Sequence, residues 1–208
     1  MRKRSYETKG GIVAVAKRLF FDIGYSASSV DKIAGAAHIQ KKTFYAYFPD
    51  KKSLFLEIIN DTIGTPWVFI HPTEEMSKPE DLYRILVIIA KGLNETYSNP
   101  DYVRLLQLVI SELSSQPELT SITHNVITRR AYDILVPLLV EADKKNIVSI
   151  LNPKQHAQSF VGGLLYDFYV DGILSTYPGT VRRYSDLEIF EYVSTSMPLL
   201  VRRIVEKH

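Results

Sequence analysis

The chain has no cysteine, so neither a disulfide framework nor a thiolate metal site is open to it. Long apolar runs are missing too: Ile85-Leu86-Val87-Ile88-Ile89-Ala90 falls far short of the roughly 20 residues that a bilayer span needs. The opening stretch MRKRSYETKGG carries charge with no apolar core behind it, which is not the pattern of a secretory signal. The expectation is a cytoplasmic protein with no membrane partner. His38, His71, His124, His156 and His208 stand apart, with no HExxH and no carboxylate at ligand spacing, so no metal site is expected. A GxSxG elbow and a phosphate-cradling glycine loop are both absent. No catalytic residues, no cofactor and no enzyme are therefore expected. No period-two alternation, repeat or low-complexity segment occurs, which leaves an all-α class.

What is present is ordinary in bulk and uneven in distribution. With 208 residues, 46% of them hydrophobic and 23% charged, the chain can build one large domain or two smaller ones, each with a core. Residues 1–52 hold eleven Lys/Arg against four Asp/Glu, a net of +7, while the remainder is net −5 within the overall +2. A basic N-terminal quarter on an acidic remainder is a footprint for a polyanion.

Arg2-Lys3-Arg4 is either an arm that reaches phosphate or the minor groove, or a solvated tail. Gly10-Gly11 argues against stable helix before about residue 11. From there Ile12, Val15, Ala16, Leu19, Phe20 and Ile23 line one face of a helix, and Gly24 suits a left-handed C-cap. Ser28 with Asp31 reads as a capping box for a second helix that turns Val30, Ile33, Ala34 and Ala37 inward. A third, from about Gln40 to Tyr47, buries Ile39, Phe44 and Phe48 and ends at Pro49. Asp50 caps a fourth, with Leu54, Phe55, Ile58 and Ile59 inside, ending near Gly64.

Residues 24–59 resemble the DNA-binding domain of the tetracycline-repressor (TetR) family. The resemblance is carried by Gly24-Tyr25, Ser29-Val30, Ile33-Ala34, Ala37, Ile39, Thr43-Phe44-Tyr45, Tyr47-Phe48, Lys51 and Leu54-Phe55. It extends over roughly residues 9–62. The sequence departs from the family at His38, where glycine is usual in the turn, at Gln40, where a small capping residue is usual, and at Lys42, often glycine or alanine. His38 is costly if the turn needs φ > 0, and the missing cap weakens the third helix by ~1 kcal/mol. Lys41 and Lys42, at the groove end of the third helix, suit guanine edges and phosphate. Gln40 either reads an adenine edge or faces solvent. Thr43, Tyr45 and Tyr47 offer hydroxyls to phosphate, with Tyr47 open to partial core packing, and Ser29 opens the second helix as a further phosphate candidate. The resemblance implies backbone contacts at Thr43, Tyr45, Tyr47 and Lys51.

The expected architecture has about nine helices. A helix-turn-helix domain spans residues 1–52, a fourth helix at about 51–63 connects, and a larger helical bundle fills 53–208. Residues 65–81, with three prolines, read as a link anchored by Trp67 and Phe69. Pro79-Glu80-Asp81 starts a helix running to about Ser98. A central helix covers Tyr102 to Leu113. The next contains Ile122, Val126, Ile127, Ile134, Leu135, Leu138 and Leu139, with Pro137 either kinking it or dividing it in two. The last two fall at about 153–175 and 185–206. They carry more apolar surface than one small bundle buries, which points to a homodimer through Phe160, Gly162, Gly163, Leu164, Phe190, Val193, Met197, Leu200 and Val201. The resemblance implies the same four-helix interface. It further implies a small-molecule pocket in the C-terminal domain, for which Trp67, Tyr97, Tyr102, Tyr132 and Tyr166, with Gln107, Ser111 and His124, are the candidates. Asp167 and Asp171 beside Phe168 and Tyr169 are a solvated face or an acidic feature of that cavity. The function implied is a ligand-responsive repressor on a pseudo-palindromic operator, and the supply of aromatic residues points to a largely apolar or aromatic effector as the releasing ligand. The alternative is a dimeric DNA-binding regulator controlled by a protein partner or acting constitutively.

Overall fold

The computed structural model describes residues 2–63, 76–112, 114–116, 119, 121, 129–167, 170 and 183–196. Among them lie nine helices and no strand: α1 (Arg2–Ile23), α2 (Val30–Ala36), α3 (Lys41–Tyr47), α4 (Lys51–Ile63), α5 (Pro79–Tyr97), α6 (Pro100–Glu112), α7 (Arg129–Lys144), α8 (Pro153–Asp167) and α9 (Asp186–Ser196). The all-α expectation holds.

The chain divides into two compact units, Met1–Ile63 with Arg104–Val126 and Gly64–Val103 with Ile127–His208. This grouping differs from the division at residue 52. All of α4 goes with the first three helices because its apolar face, Leu54, Phe55, Ile58 and Ile59, is wholly buried, and because it packs on α1. Arg104–Val126 join the same unit.

In the first unit α1 packs on α2 and α4, and α2 on α3. Phe20, Tyr25 and Phe55 form one aromatic cluster with ring centroids 5.2 to 6.0 Å apart. Phe44 and Phe48 form a second pair at 5.9 Å. Each such ring taken fully out of water contributes about 1.5–3 kcal/mol, enough in sum to hold helices as short as α2 and α3. Helix α1 starts at Arg2 rather than after Gly11, so the backbone of Arg2-Lys3-Arg4 is helical. Ile12, Val13, Ala16 and Phe20 are buried on α1, and their packing outweighs the ~1 kcal/mol that each glycine costs a helix. The α2 cap is Ser29, whose Oγ accepts the Lys32 N–H at 3.2 Å. Ser28 is buried instead and donates its hydroxyl to the Gly24 carbonyl at 2.7 Å. At α4, Asp50 accepts the Ser53 N–H at 2.6 Å, as its capping role requires.

In the second unit α5 packs against α8 and α9, and α8 against α7 and α9. Helix α5 opens at Pro79, where Asp81 Oδ2 accepts the Ser77 and Lys78 N–H groups, both at 3.1 Å. Helix α6 begins at Pro100, two residues before the expected start, because Asn99 Oδ1 takes the Asp101 N–H at 3.0 Å. Pro137 lies inside a single α7. Tyr83 stacks edge-on to Phe190 at 5.3 Å and donates to its carbonyl at 3.1 Å, tying α5 to α9. No helix among the described residues is long and apolar enough to cross a membrane.

Candidate nucleic-acid interface

Helices α2 and α3 are joined by a turn with His38 at φ 54. Ile39 N–H bonds the Ala34 carbonyl at 2.9 Å and His38 N–H the Gly35 carbonyl at 3.1 Å, the pattern of a helix end closed by a left-handed residue. The turn does need φ > 0, and His38 occupies a conformation that glycine adopts without strain. Gln40 is the N-cap of α3 and makes no side-chain cap bond. The first N–H groups of α3 therefore lack a side-chain cap, as the departure from the usual small residue predicts.

Along α3 only Phe44 is buried, pinning one face to the unit's core, while Gln40, Lys41, Lys42 and Tyr45 are exposed and Thr43 and Tyr47 half-buried. Tyr45 stands edge-on to Phe44 at 5.4 Å, a contact that leaves it exposed. Ser29 is exposed; its oxygen is used by Lys32, and its O–H is left to donate. Lys41 pairs with Asp31 on α2 at 2.8 Å. The hydrogen bond and charge of Asp31 hold the Lys41 ammonium above its ordinary range, so it is cationic at any working pH. Such a pair in open water is weak, and a phosphate oxygen can replace the carboxylate. Lys51, expected at the phosphate backbone, donates to the Tyr25 carbonyl at 2.8 Å and lies 4.0 Å from the centre of that ring. Burial, opposed by the Glu112 charge, pushes its pKa down.

The other expected sites divide. Tyr97 and Tyr102 are buried together in the second unit, 5.2 Å apart. Tyr132 is half-buried and Tyr166 exposed in that unit, whereas Gln107 and Ser111 lie in the first. Phe160, Leu164 and Val193 are buried within the single chain. Gly163 is already occupied: a Cβ there would collide with the Tyr192 hydroxyl, which donates to the Phe160 carbonyl at 2.5 Å. That close approach serves α8 and α9 of one chain. Gly162, Leu187 and Phe190 are exposed. Trp67, His124, Phe168, Tyr169, Asp171, Met197, Leu200 and Val201 lie outside the described residues, as does the Asp167 side chain. Glu112, which sequence reasoning did not single out, is buried against the α1–α2 turn.

Residues 12–58 match the family model described as bacterial regulatory proteins, tetR family. The uncharacterized HTH-type transcriptional regulator YuxN of Bacillus subtilis is 43% identical over 49 residues. That match covers 24% of this chain and only 17% of YuxN. Among solved structures, the flavonoid-responsive regulator FrrA superposes with a TM-score of 0.73 at 20% identity, over 95% of this chain and 96% of its own. The fatty acid degradation regulator FadR of Bacillus halodurans gives 0.63 at 20% identity, over 93% and 94%. At such identity the superpositions establish fold, and the local match establishes the head. Residues 12–58 are thus a head like that of the tetR family, carried on an all-α fold shared with the superposed regulators.

Proposed function

We propose that this regulator is a ligand-responsive repressor that binds a pseudo-palindromic operator as a homodimer, with α3 in the major groove. The observation that carries the reading is the edge of α3, where Gln40, Lys41, Lys42 and Tyr45 are exposed beside a buried Phe44. A helix pinned by one aromatic, with cations at its groove end, presents donors for guanine O6/N7 and for phosphate. Lys41 and Lys42 take those roles, Gln40 an adenine edge, and Ser29, Thr43, Tyr45 and Tyr47 give hydroxyls to phosphate. Lys51 braces the turn through the Tyr25 carbonyl. Exposed Tyr166, Leu187 and Phe190 on α8 and α9 support pairing with a second copy, since large apolar side chains left in water favour burial in an interface. The work is done in the cytoplasm.

The effector is largely apolar or aromatic, a reading supported by the buried, tilted pair Tyr97 and Tyr102 and by the flavonoid response in FrrA's name. Its action is a population shift toward a dimer whose heads no longer match the groove spacing. The test is fluorescence anisotropy on duplex from upstream of the chain's own gene, with a library of apolar and aromatic compounds. Tight binding released by members of that library is expected. Binding that no compound disturbs would favour control by a protein partner or constitutive action, and release by polar or charged compounds alone would overturn the effector class.

A further inference from the structure

One peptide group in the first unit is gripped at both ends by opposite charges. The carbonyl of Tyr25 accepts from Lys51 Nζ of α4 at 2.8 Å. The N–H of the same peptide, that of Ser26, donates to Glu112 Oε1 of α6 at 2.9 Å. The Ser26 hydroxyl adds a bond to Oε2 at 2.5 Å, and the Ser115 hydroxyl another at 2.8 Å. Glu112 is only 7% exposed and lies 86 residues from Ser26 in sequence. Burial pushes its carboxyl up, but the bonds from Ser26 and Ser115 outweigh that and leave it below its usual range, an anion at neutral pH.

The geometry makes the two contacts cooperative. A peptide dipole has its positive end at N–H and its negative end at C=O, so carboxylate and ammonium favour the same orientation of that plane. The turn leaves room for it: Gly24 has φ +87, and a Cβ there would lie 3.1 Å from Glu112 Oε1. Ser29, the N-cap of α2, follows three residues after Ser26, and α2 packs on α3. Fixing this peptide therefore fixes where α2 begins and how α3 is presented.

We propose that Glu112 and Lys51 are positioning residues for DNA binding, a charge clamp on the Tyr25–Ser26 peptide that sets the orientation of α2 and α3. The proposal rests on the DNA-binding reading above. Glu112→Gln removes the charge with little change in shape, and Ser26→Ala removes one bond should the first variant fold poorly. Neither residue is among the proposed DNA contacts. In the full-length protein, amide exchange at Ser26 is expected to quicken about tenfold in Glu112→Gln, as loss of a bond to a charged acceptor implies. Affinity for the upstream duplex, with the active fraction fixed by stoichiometric titration, should fall by about as much. The salt dependence should keep its slope, because no phosphate contact is lost. Ser26→Ala should fall between, and the double variant should be no worse than Glu112→Gln. A merely structural role would lower the active fraction and leave the dissociation constant of the folded protein unchanged, which would overturn the proposal. So would unchanged exchange at Ser26. A wild-type chain that binds no duplex would instead remove the reading on which the clamp rests.

Discussion

Replacing Gly24 by alanine should destabilise the chain, whereas the same change at Gly35 should stabilise it. Gly24 has φ +87, where a residue with a Cβ pays about 1–2 kcal/mol. The new methyl would lie 3.1 Å from Glu112 Oε1, an oxygen that cannot swing aside freely because Ser26 N–H holds it at 2.9 Å. Losing one bond to that charged group adds about 1.5–3 kcal/mol. Alanine also narrows the unfolded ensemble, which returns about 0.4–1 kcal/mol. The net is a loss of about 1 kcal/mol if the carboxylate yields with its bonds intact, and about 3 if one breaks. Gly35, on the exposed side of α2, has nothing within 4 Å of a Cβ and no positive φ, so alanine there gains about 0.5–1 kcal/mol. Urea unfolding followed by far-ultraviolet circular dichroism reads both. A Gly24→Ala variant as stable as the wild type, beside a stabilised Gly35→Ala, would refute the left-handed, close-packed turn.

Three further outcomes follow from individual contacts. Gln40→Ser should supply the missing α3 cap and raise stability by about 0.5–1.5 kcal/mol in the same urea assay; no gain would show that the first turn of α3 is satisfied in another way. Tyr192→Phe should cost about 0.5–1.5 kcal/mol by removing the bond to the Phe160 carbonyl, measured as a shift of the urea midpoint. The Asp81 carboxyl is held below its ordinary range, chiefly by the Ser77 N–H and Arg84. A depressed carboxylate contributes stability above its unfolded pKa and loses it as pH falls through the folded one. Asp81→Asn should therefore melt below the wild type at neutral pH, and the gap should close on acidification below about pH 4; a gap that does not change with pH would contradict the assignment.

The head was legible because its signals are local. Helical periodicity found the buried face of α4, whereas on α1 it turned Ile23 inward, which is exposed, and missed the buried Val13; the departure at His38 raised the question of φ > 0, which that residue adopts. The misreadings have physical causes. Ser28 and Ser29 are chemically equal as caps, and only the fold decides that Ser28 turns inward to the Gly24 carbonyl. Gly10-Gly11 lowers local helix propensity, but the packing of α1 overrides it. Of the apolar residues on the last helices that the sequence offered to a second copy, Phe160, Leu164 and Val193 are covered by the chain itself, while Gly162 and Phe190 stay exposed. A hydrophobic pattern shows that a face is buried without naming its cover. The clamp on Tyr25–Ser26 was illegible for the same reason. Glu112 reads in sequence as one more charge at a helix end, and its role exists only once 86 residues of separation are closed by folding.

The most direct test of the central claim is the salt dependence of binding to the upstream duplex, measured for wild type, Lys41→Ala and Lys42→Ala by fluorescence anisotropy. The account predicts that both variants bind more weakly. A lysine on phosphate reduces the slope of log affinity against log salt by about 1. A lysine on a base edge costs about 1–3 kcal/mol and relaxes sequence preference at one position. Unchanged affinity in both variants would remove α3 from the groove and contradict the account.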